Sequence, residues 1–317
     1  MPTFGYEEQY LTLCSKVLAE GTYTEDRTGT GTYSLIGEVM KIDLSKGFPV
    51  LTTKKINPIL PIGEMLWMLS GNIDLISLRE YQNKLEGSHT IWSDDYNKFV
   101  SKCISEDSER WNGSNLPDQC RGESLGNIYG KQLRRFSRGF DHCQDEIVHD
   151  QLKTLIDNIK AVRDKPSHPM GRRLICSFWN PYDHTIGDKV TCALPACHTD
   201  FQCIVRNGKL NIRFSMRSND VFLGLPFNIT AYSFLCQVLA KLTGLEAGEL
   251  VYFGTDVHIY SNHIEQVSLQ LSREPRILPE LVLPEFSTLD ELLSLTGEDF
   301  KLVGYEPHGF IKAPQAS

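Results

Sequence analysis

The sequence has no long apolar run and little else that marks a membrane or secreted protein. No stretch reaches the roughly 18 consecutive apolar residues of a membrane-spanning helix. The first 21 residues lack the basic and apolar regions of a secretory signal. The nine cysteines show no framework spacing, which disfavours a disulfide scaffold. These absences predict a reducing, cytoplasmic compartment.

Positive charge is also scarce. The 32 lysines and arginines are outnumbered by 40 acidic residues, which gives a formal charge of −8. Proteins that bind nucleic acid usually carry a basic face, so this balance disfavours a general nucleic-acid binder. It does not exclude a small anionic substrate, because a few arginines can set the local potential. The positions of the arginines in the sequence therefore matter more than their number.

Length and composition indicate one globular domain. The chain has 317 residues, of which 41% are hydrophobic and 23% charged, enough apolar material for a sizeable core. It contains no internal repeat, linker or low-complexity tract. We predict a single domain over residues 1–317, in which the polar, turn-rich residues 97–124 form an inserted loop or a short helical excursion.

The spacing of apolar residues predicts an α+β domain with a mostly antiparallel or mixed sheet. Helical spacing predicts helices over 6–20, from about 62 to 70, over 145–163 and over 228–243. Alternating spacing predicts strands within 27–44, 172–180, 199–218 and 249–261. The third of these segments contains Asn207-Gly208, a dipeptide typical of a two-residue hairpin turn.

The stretch "LPACHTDFQC", residues 194–203, raises the question of what Cys197 does. A zinc site fails on spacing, because Cys192, Cys197, His198 and Cys203 lack the short C-x₂-C spacing and would not converge along a strand. A buried cysteine that behaves as a small hydrophobe remains open. So does a nucleophile, which needs a nearby positive charge or a base to gain thiolate character.

Four arginines lie where they could supply that charge or bind an anion. Arg27 opens "RTGTGT", which resembles a phosphate-binding turn but fits neither the Walker nor the dinucleotide pattern. Arg172 and Arg173 open a predicted strand, and Arg217 lies in "SMRSND". Taken singly, each could equally be a solvated surface residue.

Three further polar residues also have two interpretations. Asn228 lies at the predicted start of a helix, where a plain N-cap explains it as well as a binding role does. His258 and Tyr260 share one face of a predicted strand, either as a polar face or as a binding site.

Taken together, the motifs resemble those of the thymidylate synthase family. They are "RTGTGT", "GFPVLTTKK", "EMLWMLSG", "TIW", "YGKQ", "GRR", "PACH", "RSNDVFLGLPFN", "DVHIYSNH", "LSREP" and "GFIKAP". Their order and spacing match over nearly the whole chain, with residues 97–124 as an insertion. The resemblance implies a single α+β domain, a mixed sheet packed against helices, and a homodimer formed through a sheet face.

The resemblance also implies a reaction. Cys197 would attack C6 of dUMP, with 5,10-methylenetetrahydrofolate as one-carbon donor and no metal. Glu64 would order the waters that relay protons, Tyr129 would assist proton removal from C5, and His198 would support the site through hydrogen bonds. Asn228 would pair with the pyrimidine edge. An aspartate stands there in the related phage deoxycytidylate hydroxymethylase, so asparagine predicts uracil.

The remaining site residues follow from the same resemblance. The 5′-phosphate would be held by Arg27, Arg217 and Ser218, joined by Arg172 and Arg173 from the partner subunit. His258 and Tyr260 would hold the ribose hydroxyl. Asp220 would serve both the reaction and the folate. The folate site would comprise Lys54, Ile91, Trp92, Leu194, Asp220, Gly224, Phe227 and Ser317.

Several departures from the synthase pattern bear on the product. The usual "QRS" is "MRS" at Met216, as in the phage hydroxymethylase; the other departures are Ser93, Leu133, Ala196 and the polar Ser317. Hydride transfer needs a closed, dry site, whereas water gives a hydroxymethyl group. We therefore expect 5-hydroxymethyl-dUMP, which would point to a bacteriophage source, with reductive methylation to dTMP as the alternative. A catalytically silent nucleotide or RNA binder would have lost one of the key residues, and all are present.

Overall fold

The computed structural model describes residues 5–26, 29–106, 118–140, 146–184 and 191–315. The α-helices in these ranges are α1 (Tyr6–Glu20), α2 (Ile59–Ser70), α3 (Leu75–Tyr81), α4 (Ser93–Glu106), α5 (Tyr129–Arg134), α6 (Gln151–Asp164), α7 (Pro181–His184), α8 (Gly224–Thr243), α9 (Ile264–Leu271) and α10 (Leu289–Leu293). The strands are β1 (Thr22–Thr24), β2 (Thr32–Asp43), β3 (Phe136–Phe140), β4 (Glu146–His149), β5 (Ile175–Ser177), β6 (His198–Arg206), β7 (Lys209–Asp220), β8 (Glu246–Tyr260), β9 (Glu280–Val282) and β10 (Lys301–Val303).

The principal sheet has six strands in the order β1-β2-β8-β7-β6-β5. β7 and β8 are parallel and are joined through α8, whereas the other neighbours are antiparallel. The predicted β6–β7 hairpin turns at Asn207 and Gly208, whose φ angles of 51° and 74° match the left-handed residues of a tight hairpin turn. The prediction of an α+β domain with a mixed sheet is confirmed.

The core lies between this sheet and the helices on one of its faces. α8 is apolar around most of its circumference, and a helix of that kind is buried. It packs against β7, β8 and α2. The Tyr232 ring of α8 stacks on Phe214 of β7, with centroids 4.0 Å apart and planes 10° apart. The helix is therefore held closely against the strands whose ends carry the polar residues described below.

The opposite face of the sheet carries apolar side chains without a covering helix in the described part of the chain. Val39 and Phe253 are directly paired across β2 and β8, and each is close to half exposed. Ile175 on β5 is also exposed. On β6 and β7, Asp200 and Arg213 form an ion pair of 2.5 Å. This face is referred to below as the outer sheet face.

Two helices begin before their predicted starts. α2 begins at Ile59 rather than Ile62, because a proline at position 61 is tolerated in a first turn, whose N–H groups have no partner within the helix. α8 likewise begins at Gly224, so Asn228 lies in the second turn. The N-cap interpretation of Asn228 is therefore wrong.

One other helix also differs from prediction, and the 97–124 segment begins with a helix. The predicted helix over 145–163 begins only at Gln151, where the Asp150 side chain caps it by accepting from Lys153 N–H. Residues 146–149 instead form β4, which pairs with β3. Ser93–Glu106 is a 14-residue helix, so the start of the 97–124 segment follows the helical alternative of its prediction. Residues 107–117 lie outside the described residues.

Within the described ranges no helix combines the length and the apolar character that a membrane crossing requires.

Candidate active site

Cys197 lies immediately before β6 and is held through its backbone. Its N–H donates to Tyr129 Oη at 2.8 Å, and its carbonyl accepts from Arg217 N–H at 3.0 Å. Tyr129 is the first residue of α5 and Arg217 belongs to β7. The thiol is therefore positioned by a helix and a strand that are distant from each other in sequence.

A positive charge lies beside the Cys197 sulfur. Arg217 Nη2 is 3.7 Å from Sγ, and the same guanidinium donates to the carbonyls of Ala196 and Pro195 at 2.8 and 3.0 Å. Its other side faces the Trp179 ring, whose centroid is 5.7 Å away. Three contacts from residues 195–197 and one from Trp179 thus fix the guanidinium, and a fixed cation favours the thiolate form of a neighbouring cysteine.

The other cysteines of the described chain have a different environment. Burial raises the pKa of Cys192 to about 11 and those of Cys14 and Cys236 to about 12. Cys203 is fully buried, and burial raises its pKa well above the ordinary value. A buried, unreactive thiol therefore describes Cys192 and Cys203, whereas Cys197 is only partly buried and lies against a cation.

Tyr129 is rigidly placed below the thiol. Its hydroxyl oxygen accepts from the backbone N–H groups of Cys197 and His198. Its ring meets Trp92 and Phe178 edge to face, with centroids 5.9 and 5.3 Å away. Burial raises the pKa of Tyr129 well above its ordinary value, so the phenol is neutral at physiological pH.

Glu64 projects from α2 toward Trp92. Its Oε1 accepts from the Trp92 indole N–H at 2.7 Å. Burial raises the pKa of Glu64, and the Trp92 hydrogen bond partly offsets that rise. A carboxyl group of raised pKa suits proton transfer near neutral pH.

His198 is a neutral hydrogen-bonding residue. Burial lowers its pKa to about 4, against which a hydrogen bond with Asn228 acts. Its Nδ1 is 3.0 Å from Tyr232 Oη, on the inward side of α8. His198 thus connects the loop that carries the thiol to α8, and it carries no charge at physiological pH.

The Asn228 amide contacts Met216 on the adjacent strand. Asn228 Nδ2 donates to Met216 Sδ at 3.1 Å, and Asn219 Nδ2 donates to the same sulfur at 2.9 Å. Sequence reasoning did not assign Met216 or Tyr232 as partners of the site. For Met216 a sequence signal exists, because the alternation of β7 places it on the same face as Phe214, toward α8. No sequence signal indicates the contact of Tyr232.

The ends of the parallel strands β7 and β8 carry several of the polar residues predicted for the site. Ser218 and Asp220 of β7 lie in register with Asp256 and His258 of β8. Burial lowers the pKa of His258, but Asp256 and Asp220 more than offset this and raise it above its ordinary value. The ring of His258 meets Tyr260 edge to face at 5.2 Å.

Asp220 also organises the start of α8. Its Oδ1 accepts from the N–H groups of Phe222 and Leu223 at 2.8 and 3.3 Å. Lys54 donates to the Phe222 carbonyl and lies 3.5 Å above the Phe222 ring centroid. Lys54 is a buried residue, and this burial lowers its pKa to about 8.

The other residues predicted for the folate have varied exposure. Ile91 is about half exposed beside the buried Trp92, and Leu194 and Phe227 are partly buried. A Cβ built on Gly224 would make only ordinary contacts, 3.7 to 3.9 Å, with Asp220 and two amide nitrogens. Ser317 lies outside the described residues.

Of the predicted phosphate arginines, Arg172, Arg173 and Arg217 lie in the described part of the chain. Arg217 lies beside Cys197, as described above. Arg172 and Arg173 are exposed at the end of a 3-10 turn that leads into the edge strand β5. Arg27 lies outside the described residues, although the following Gly31 N–H donates to Asp26 Oδ1 at 2.9 Å.

Comparison with known proteins agrees with this geometry. A family model described as "Thymidylate synthase" matches residues 8–317. A protein of Escherichia phage T5, named "Probable thymidylate synthase", is 40% identical over 314 residues, covering 98% of this chain and 100% of that protein. With Cys197, Glu64, Asn228 and the paired strand ends in one place, and with both matches spanning nearly its full length, the chain belongs to the thymidylate synthase family.

Proposed function

We propose that Cys197 attacks C6 of dUMP and that a one-carbon unit is then transferred to C5 of the bound base. The family uses 5,10-methylenetetrahydrofolate as the donor of that unit. The observation that carries the proposal is the Arg217 guanidinium 3.7 Å from the Cys197 sulfur, beside a thiol that is only partly buried. A thiolate adds to an electron-poor carbon, and a fixed cation raises the thiolate fraction.

Asn228 and the strand ends support dUMP as the nucleotide. The Asn228 amide can donate to O4 and accept from N3–H of uracil. Arg217 and Ser218 offer donors to the phosphate, and His258 and Tyr260 would contact the ribose hydroxyl. A dianion is thus accommodated by a protein of net charge −8, because the local donors outweigh the distant acidic residues.

The residues around Trp92 fit a flat, partly polar ring system such as the pterin of the folate. Ile91, Leu194 and Phe227 offer partly accessible apolar surface, and Asp220 offers a carboxylate that accepts from ring N–H groups. When bound, the folate supplies an electrophilic one-carbon unit. The chain's own residues orient it: Gly224 leaves space beside Asp220, and Trp92 is fixed by Glu64. Lys54 and Ser317 complete the predicted set.

Proton handling is assigned to Glu64 and Tyr129. The ionised Glu64 carboxylate would order water at O4 of the base and accept protons there, with its pKa raised by burial toward the working pH. Tyr129 would assist removal of the C5 proton. Its neutral phenol is held in place by the two backbone N–H groups of Cys197 and His198.

For the last step we favour addition of water to the C5-methylene group that remains once tetrahydrofolate has left. The Cys197 thiolate would then leave C6, which gives 5-hydroxymethyl-dUMP. Met216, shared with the phage hydroxymethylase pattern, is in direct contact with the base-pairing Asn228, so this departure lies within the site. A polar C-terminal Ser317 would also weaken an apolar seal over the folate. Water then reaches the C5-methylene group before hydride does.

Reductive methylation to dTMP is the second candidate, and two observations favour it. The T5 relative carries the name "Probable thymidylate synthase". Moreover, Leu133 and Ala196 are 1% and 3% exposed, so these departures are core substitutions that do not open the site to water. In this reaction the C5-methylene group would accept a hydride from the bound tetrahydrofolate, and the Cys197 thiolate would leave C6. The products would be dTMP and dihydrofolate.

One assay separates these outcomes. The purified protein is incubated with methylenetetrahydrofolate and with dUMP that carries tritium at C5. Release of tritium supports the C5 reaction, and its absence overturns it. Rising near-ultraviolet absorbance from dihydrofolate indicates a synthase, whereas flat absorbance with tritium release indicates a hydroxymethylase. Mass spectrometry of the nucleotide identifies the added group.

The nucleophile is tested with two matched variants. C197S should lower tritium release more than about a thousandfold, because a serine hydroxyl is a far weaker nucleophile at neutral pH. C236S is the control: Cys236 Sγ donates to the Leu210 carbonyl at 3.3 Å, a bond that a serine hydroxyl can keep. Residual activity in C197S equal to that of C236S would show that Cys197 is not the nucleophile.

The functional unit is proposed to be a homodimer joined through the outer sheet face. Its exposed Val39, Ile175 and Phe253 need a partner surface, and the adjacent Arg172 and Arg173 would then reach the other subunit's phosphate site. The phage relative makes the cytoplasm of a bacterial host the proposed location.

A further inference from the structure

The Asn228 amide can recognise two different pyrimidines. Uracil presents an acceptor at O4 and a donor at N3–H, whereas cytosine presents a donor at its 4-amino group and an acceptor at N3. The side-chain amide has one acceptor atom, Oδ1, and one donor atom, Nδ2, which carries two N–H groups. One orientation therefore matches uracil, and a half-turn about the last side-chain bond matches cytosine. The residue type at position 228 does not by itself fix the base.

Met216 distinguishes the two orientations. Asn228 Nδ2 lies 3.1 Å from Met216 Sδ, and a thioether sulfur can accept a hydrogen bond but cannot donate one. With one N–H directed at the sulfur, the second N–H and Oδ1 form the edge that suits uracil. After a half-turn, Oδ1 would face the sulfur lone pairs and the hydrogen bond would be lost.

The surroundings strengthen this contact. Met216 is 3% exposed, so solvent does not compete for the sulfur. Asn219 Nδ2 donates to the same sulfur at 2.9 Å, so the Met216 sulfur accepts from two amide nitrogens. The Asn219 Oδ1 atom is buried and has no hydrogen-bond partner among the described residues, so its amide gains its bonding from Met216.

His198, which also forms a hydrogen bond with Asn228, does not favour either orientation of the amide. His198 shares a hydrogen bond with Asn228, and its other ring nitrogen faces Tyr232 Oη. A neutral imidazole can take either tautomer, and a tyrosine hydroxyl can donate or accept. His198 therefore accommodates either orientation of the amide.

We propose that Met216 is a positioning residue that makes this enzyme select uracil over cytosine by holding the Asn228 amide in one orientation. The inference rests on the proposed function, since it requires Asn228 to face the pyrimidine. It adds a second determinant of the substrate to Asn228 itself.

The test measures binding of dUMP and dCMP by calorimetry, together with kcat/KM for each, in wild type and M216L. Leucine has a similar volume but no acceptor. The preference for dUMP over dCMP should fall at least about tenfold in M216L, a change of about 1.4 kcal/mol. M40L is the matched control, because Met40 is also 3% exposed but lies in β2. It should keep the wild-type preference.

A double-mutant cycle shows whether Met216 acts through Asn228. In the N228A background M216L should leave the dUMP-to-dCMP ratio unchanged, since no amide remains to be oriented. An unchanged ratio in M216L alone, or an equal effect of M216L with and without Asn228, overturns the inference. If wild type binds dUMP but releases no tritium from it, the proposed reaction fails while the binding ratio still tests Met216.

Discussion

At the scale of single residues, the hydrogen bond between Glu64 and Trp92 should influence how activity depends on pH. The Glu64 side chain lies on the apolar helix α2, and its Oε1 accepts a hydrogen bond from the indole N–H of Trp92. Burial and this hydrogen bond act on the Glu64 pKa in opposite directions. The indole hydrogen bond therefore limits how far burial raises the Glu64 pKa.

Replacing Trp92 with phenylalanine should raise the Glu64 pKa further, because the bond that stabilises the carboxylate is lost. In the proposed mechanism activity requires the ionised Glu64 carboxylate, so activity should fall as the pH drops through that pKa. We expect the acidic limb of the kcat/KM profile for dUMP to move to higher pH in W92F.

W67F is the control for this experiment. Trp67 packs beside Trp92 but donates its indole N–H to Asp74 and Ser77, so its loss leaves the Glu64 contact intact. Its acidic limb should coincide with that of wild type. A profile of W92F that also coincides with wild type would contradict the role assigned to the indole.

His198 makes the fold sensitive to acid. Burial lowers its pKa from 6.5 to about 4, so between these values the unfolded chain binds a proton that the folded chain does not. Above pH 6.5 both states are neutral and the effect vanishes. As the pH falls from 6.5 to about 4, the free energy of unfolding should drop by about 3 kcal/mol from this residue.

Urea unfolding of H198Q at several pH values checks this expectation. The stability curve should be flatter than that of wild type across the stated window. H89Q is the control, because His89 is 63% exposed. His258, whose pKa is raised, gives the opposite slope and is present in all three proteins. Parallel curves for H198Q and wild type would show that His198 does not cause the acid sensitivity.

The residues of the site could be found from sequence only to a limited depth. The cysteine, the carboxylate and the asparagine were identified because their motifs are long. Their partners were not, because Tyr232 reaches His198 from 34 positions away and Met216 reaches Asn228 from 12. Such contacts depend on how α8 packs on β7, which no local pattern encodes.

At the scale of elements, local signals predicted what is locally determined. α1 and the β6–β7 hairpin have the predicted bounds or turn, because apolar spacing and an Asn-Gly dipeptide act over a few residues. The starts of α2 and α8 were placed too late, since both first turns contain a proline that reads as a break. The start of α6 was placed too early, because β4 forms only by pairing with β3.

The start of α6 gives an element-scale prediction. Asp150 accepts from the Lys153 N–H at the first turn and also accepts from Arg134 Nε at 2.9 Å. D150A should lower the free energy of unfolding by about 1 kcal/mol, and D150N, which keeps the cap but loses the charge, by less. D157A is the control, because Asp157 is an exposed residue of the same helix. Equal losses in D150A and D157A would contradict the capping role.

At the scale of the whole molecule, the outer sheet face and the position of Arg172 and Arg173 predict shared active sites. One variant, C197S, lacks the proposed nucleophile, and another, with both arginines changed to alanine, lacks the charge proposed to reach the partner subunit. Mixed under conditions that exchange subunits, they should recover about a quarter of wild-type activity. Half of the random dimers are then mixed, and each of those has one intact site.

Each variant alone should be nearly inactive, and light scattering should show a dimer. The control mixes C197S with itself under the same conditions. Failure of the mixture to regain activity, while both variants remain dimeric, would show that the arginines serve their own subunit.

The parallel pairing of β7 with β8 through α8 bears on what a single recombination event in the gene could exchange. Because the two strands and the helix between them are consecutive, residues 198–260 carry most of the residues proposed to recognise the nucleotide on one uninterrupted stretch: Met216, Arg217, Asn228, His258 and Tyr260. Glu64 and Trp92 lie outside it. A single recombination between related genes across this segment would therefore exchange the nucleotide preference as a block while leaving the carboxylate and indole of the recipient in place.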